Sequence, residues 1–97
     1  MNEQNLRERA DAHGRATVAG DLKTASSYLD KSAYAAAGEV MKKMPEGLSD
    51  AEVTGAEQQG DRWLVTIRYS GSGGSTEVES TWAETEGEAK IVGLRVP

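Results

Sequence analysis

The chain has 97 residues, which fits one domain spanning 1–97 and no more. Hydrophobic residues make up 37% and charged residues 28%, the balance of a globular protein rather than a disordered one. Cysteine is absent, which excludes disulfide staples and thiol chemistry, and no apolar run approaches the roughly 18 residues of a spanning helix, so no membrane insertion is expected.

The net charge of −5 is unevenly spread. Residues 1–45 carry seven Lys or Arg against six Asp or Glu, and residues 46–97 carry four against ten. An acidic half repels phosphate backbones, so nucleic acid is not an expected partner. The start, MNEQNLRERADAH, is polar and is not a signal peptide. As written, the chain is expected in the cytoplasm; an extracytoplasmic place follows only if an export signal or anchor has been removed.

From Glu3 to Ala19 the residues suit a helix, with Leu6, Ala10, His13 and Thr17 on one stripe. Gly20 supplies its C-terminal cap position, and Asp21 can cap the next helix. That second helix is predicted from Leu22 to about Leu29, with Leu22, Ala25 and Leu29 on one face and Tyr28 beside them. Asp30 or Ser32 caps a third helix ending near Met44, where Pro45 stops the run. Its apolar stripe is Ala33, Ala37, Val40 and Met44, widened by Ala36 and Met41.

The period then changes from helix to strand. DAEVTGAEQQ is a poor strand by itself, and Gly60-Asp61 marks a turn. RWLVTIRYS is the strongest strand signal: Trp63, Val65, Ile67 and Tyr69 point one way, Leu64, Thr66, Arg68 and Ser70 the other. GSGGS is expected to be a flexible loop. TEVESTWAE puts Val78, Ser80 and Trp82 on one side and Glu77, Glu79 and Thr81 on the other, and TEGE forms a hairpin tip. In AKIVGLRV, Val92, Leu94 and Val96 oppose Ile91 and Arg95. The fold class is therefore α+β: N-terminal helices packed on one face of an antiparallel four-stranded meander.

The phrase AGDLKTASSYLD after a charged helix, the Ala-rich helix ending at Pro45, and the close DRWLVTIRY…TEVESTWAETEGEAKIVGLRV resemble the nuclear transport factor 2-like (cystatin-like) superfamily. The nearest sub-type is its small lipoprotein-associated domains of unknown function, with SnoaL-like cyclases and ketosteroid isomerase-like proteins as cousins. The resemblance implies helices over the concave face of a curved sheet. The hairpin that usually follows the second helix is replaced here by the third helix, so the deep conical pocket of the superfamily's enzymes is not implied.

His13 is the only histidine. On the stripe that faces the sheet it could serve as a general base at a pocket mouth, because its unperturbed pKa suits proton transfer near neutrality. The sequence favours the plainer role of a half-buried, space-filling histidine. Tyr28, Tyr34, Tyr69 and Asp30 raise the isomerase type of site, in which a carboxylate base works with hydroxyl donors, but no spacing matches it residue by residue. Glu77 and Glu79, and Glu84, Glu86 and Glu88, read as solvated strand surface rather than a metal site. No zinc spacing, nucleophile triad or dinucleotide fingerprint is present, so no metal and no cofactor is expected.

Two function classes follow. The first is a non-catalytic binding or association module, homodimeric through open sheet faces, with Trp63, Tyr69 and Trp82 at the interface. The second is an isomerase- or cyclase-type enzyme, or a binder of a small apolar ligand. Its pocket would lie between the first helix and the sheet, with His13, Tyr28 and Tyr34 as ligand-binding residues. A cavity of about 300 Å³ or more is the observation that favours the second.

Overall fold

A computed structural model describes residues 2–97. Helices α1 (Glu3–Val18) and α2 (Leu22–Ser26), a 3-10 turn (Lys31–Ala33) and α3 (Tyr34–Met41) precede four strands, β1 (Leu48–Gln59), β2 (Arg62–Gly71), β3 (Gly74–Thr85) and β4 (Glu88–Arg95). The strands pair antiparallel in sequence order, and the helices lie over one face of the sheet. The layout is α+β, as the change of hydrophobic period predicts.

The helix ends are fixed locally. Asn2 caps α1 by accepting from the Asn5 N–H at 2.9 Å. At the other end Gly20, at φ 74°, lets its N–H reach the Thr17 carbonyl and the Asp21 N–H reach that of Ala16, a Schellman closure. Asp21 Oδ1 then accepts from the Thr24 N–H at 3.2 Å and opens α2.

Tertiary pairing shortens the next two helices relative to expectation. The Ile91 N–H donates to the Tyr28 carbonyl and the Asp30 N–H donates to the Ile91 carbonyl, each at 2.8 Å. Leu29 thus joins β4 as a parallel bridge, and α2 ends at Ser26 rather than near Leu29. This contact occupies part of the outer edge of β4. α3 stops at Met41 instead of Met44, because the chain tightens through i−3 hydrogen bonds at Lys43 and Met44 before Pro45.

The weakly patterned segment before Gly60 is a full strand, β1, carrying two register shifts that bend it. Its alternation is held by the strong strand beside it: Ala51 pairs with Tyr69 and Val53 with Ile67. GSGGS is not a flexible loop. Gly71 pairs with Gly74, leaving a two-residue tip whose Gly73 N–H donates to the Glu46 carbonyl at 3.0 Å.

One face of the sheet carries Trp63, Val65, Ile67, Tyr69, Val78, Ser80 and Trp82, all buried, and α1 covers it with Leu6, Ala10, His13 and Thr17. A bulge in β4 changes one assignment. Trp82 pairs with Ile91 but Thr81 with Gly93, so Val92 is the extra residue. Ile91 and Leu94 therefore share the helix-covered face, rather than standing on opposite faces as a strict two-residue period predicts.

The opposite face is polar. Glu52, Arg68 and Glu77 lie side by side across β1, β2 and β3, and Arg95 Nε approaches Glu79 Oε1 at 2.6 Å. Among the β2 and β3 residues facing this way, Leu64 is the one large aliphatic side chain. The expected aromatic interface is corrected accordingly. Trp63, Tyr69 and Trp82 are 8%, 2% and 0% exposed, beneath the helices of their own chain. The sheet face left open carries charge pairs instead of aromatic anchors.

Candidate functional site: an apolar cleft ending at His13

The stripe Leu6–Ala10–His13–Thr17 brings α1 down onto the sheet. Gly14 permits the approach, because a methyl group there would sit 3.0 Å from the Ala51 Cβ. His13 is thereby buried between the sheet and α2. Its Nδ1 lies 3.0 Å from the Ala25 carbonyl oxygen, which can only accept, so Nδ1 carries the proton and Nε2 holds a free lone pair. The ring meets Tyr28 and Trp82 edge-on, at centroid distances of 5.8 and 6.4 Å. Burial pushes the imidazole pKa below its ordinary value, and the bond to Ala25 offsets this only in part. His13 therefore rests neutral at pH 7.

Beside His13 is a cavity of about 80 Å³, lined also by Thr17, Tyr69, Val78, Val40 and Leu94. The Thr17 hydroxyl donates to the His13 carbonyl at 2.9 Å. Burial raises the pKa of the Tyr69 phenol, which the neighbouring Thr17 hydroxyl offsets only in part, so this group too is neutral. The cavity shares Leu22, Ser26, Leu29, Ala37 and Met41 with a broader cleft between α2 and α3, which Tyr34 and Gly38 complete. Leu22, Tyr34 and Met41 are the large hydrophobic side chains left exposed among the described residues, at 58%, 53% and 43%. All three border this cleft. No Asp, Glu, Lys or Arg lines either part of it.

Of the three residues expected to bind a ligand, His13 stands at the inner end and Tyr34 at the outer rim. Tyr28 does not line the cleft. It backs the His13 ring from behind, with the Arg9 guanidinium 5.0 Å over its own ring. Arg9 is held there by two hydrogen bonds to the Ala89 carbonyl, at 2.7 and 3.2 Å. Tyr69, expected at an interface, contributes to the cavity instead. Thr17, Leu22, Leu29 and Met41 line the cleft as well, beyond the residues the sequence points to. Thr17 was within reach of sequence reasoning, being one turn beyond His13 on the same stripe; the exposure of Leu22 and Met41 was not. Asp30, the carboxylate of the isomerase-type alternative, caps the 3-10 turn by accepting from the Ser32 N–H at 3.0 Å and does not line the cavity. No group of His, Cys, Asp and Glu spaced to hold a metal ion occurs among the described residues. No helix among them is long and apolar enough to cross a membrane.

No family model matches the chain, and no curated protein matches it. A solved structure described as a de novo designed protein with a curved β-sheet is similar over 60% of this chain and 54% of that one, at 26% identity and a TM-score of 0.45.

Proposed function

We propose that this protein is a non-catalytic binding module whose working surface is the cleft between α2 and α3. The observation that carries this is the coincidence of exposure and concavity: Leu22, Tyr34 and Met41, otherwise isolated apolar groups in water, all border one recess. The occupant is a small apolar molecule. The inner cavity, at about 80 Å³, is well below the size that encloses a whole drug-sized ligand, so only one end of the guest enters it. A catalytic role has less support. Beside His13 no Asp, Glu, Lys or Arg lines the cleft, so the His13 imidazole has no charged group there to relay a proton or to stabilise a developing charge. The superfamily resemblance remains part of this proposal; it implies a pocket between the first helix and the sheet, which matches only the inner end of the cleft, beside His13, Tyr69 and Val78.

The test is a titration with Nile red, a neutral apolar dye, followed by its emission. Wild-type protein is expected to bind it saturably. A Leu22→Ser/Met41→Ser variant is expected to bind at least fivefold more weakly with the melting temperature held. Equal binding by both proteins, or none by either, overturns the proposal.

A further inference from the structure

The inner end of the cleft restricts what can enter it. Neither the cavity nor the cleft is lined by a charged side chain, so an ionic group placed there would lose its hydration without gaining a counter-charge. The polar groups at the inner end are His13, Thr17 and Tyr69, each more than nine-tenths buried. Their hydrogen-bonding capacity is already partly taken. The His13 Nδ1–H serves Ala25, and the Thr17 hydroxyl proton serves the His13 carbonyl.

His13 Nε2 is different. It has no hydrogen-bond partner among the described residues, yet no side-chain nitrogen or oxygen among them is both sealed from solvent and unpartnered. Nε2 is therefore open, and the space that His13 borders is the cavity. There it can only accept a hydrogen bond. The Tyr69 hydroxyl, which borders the same cavity, can donate or accept.

A group that satisfies both is neutral, donates once to Nε2 and accepts once from Tyr69. A hydroxyl does this. A carboxylate offers only acceptors to the Nε2 lone pair, an ammonium brings an unpaired charge, a primary amide brings a second N–H that neither side chain accepts, and a trans secondary amide points its N–H and carbonyl in opposite directions, where a hydroxyl donates and accepts at one oxygen. We infer that the cleft binds an uncharged apolar alcohol, its hydroxyl between His13 Nε2 and the Tyr69 hydroxyl and its hydrocarbon body against Leu22, Leu29 and Met41. This rests on the proposal that the cleft is a binding site and names the chemistry of its ligand.

The experiment is an NMR titration of the 15N-labelled protein with four probes of one length: 1-pentanol, 1-fluoropentane, pentanoate and pentylammonium. The alcohol is expected to bind about tenfold more tightly than the fluoride, the usual size of one to two buried hydrogen bonds, and the two ions more weakly still. The His13 Nε2 resonance is expected to move with the alcohol and stay in place with the fluoride. Tyr69→Phe, which keeps the ring and its packing, should reduce the alcohol preference to about threefold or less. Equal affinity for alcohol and fluoride, an unmoved Nε2 resonance, or tighter binding of either ion overturns hydroxyl recognition while leaving the binding module intact. Failure of all four probes overturns both.

Discussion

Replacing Ser80 by Ala takes one oxygen out of the middle of the core. Ser80 lies within the sheet face that α1 covers, and it, Val65 and Trp82 are sealed from solvent. The hydroxyl accepts the Trp82 indole N–H at 2.9 Å and donates to the Val65 carbonyl at 3.0 Å. In Ser80→Ala the indole N–H has no partner and no water within reach, and an orphaned buried donor costs about 1–3 kcal/mol. Loss of the second hydrogen bond, to Val65, brings the expected destabilisation to about 2–3 kcal/mol, a fall in melting temperature of roughly 10–20 °C for a chain of this size. Urea denaturation followed by far-UV circular dichroism measures it. A double-mutant cycle isolates the cause. In a Trp82→Phe background there is no indole N–H to strand, so Ser80→Ala should cost about 1–2 kcal/mol less than in the wild type. A coupling below about 0.5 kcal/mol would refute the argument that Ser80 is retained in an apolar core to satisfy the indole.

Gly14→Ala should lower stability by about 1–2 kcal/mol, despite the better helix propensity of alanine, because the new methyl group meets the Ala51 Cβ. Adding Ala51→Gly should recover part of that loss in the same denaturation assay. The folded His13 pKa lies below its unfolded value, so the unfolded chain takes up the proton first as pH falls. Stability is therefore expected to hold above about pH 6.5 and to decline below it until the folded ring protonates; His13→Leu should flatten that slope between about pH 5 and 7, and an unchanged slope would count against a buried neutral histidine. Both tryptophans should emit at short wavelength and resist acrylamide quenching at every protein concentration, since their own chain buries them. Quenching that diminishes only as concentration rises would place them at a contact between copies. Leu22→Ser and Tyr34→Ser, at exposed positions, should each change stability by no more than about 0.5 kcal/mol by thermal melting.

Local chemistry carried much of the architecture into the sequence. The α1 stripe, the Gly20–Asp21 junction, the alternation of β2 and β3 and the α+β order depend on periodicity and on capping within a few residues, so they could be read directly. So could the placing of His13 on the face that meets the sheet. Three features could not. Leu29 leaves the helical path because its neighbours' backbone groups find partners on Ile91, more than sixty positions along the chain. The β4 bulge turns Ile91 and Leu94 to one face, because strand pairing rather than residue type fixes where the extra residue goes. Trp63 and Trp82 lie in the core and Leu22, Tyr34 and Met41 at the surface for a related reason. Within α1, β2 and β3 the sequence determined which residues share a face. Only the closing of α1, α2 and α3 over the concave sheet decided which faces are covered, since burial belongs to the meeting of two elements and no periodicity within either one specifies it.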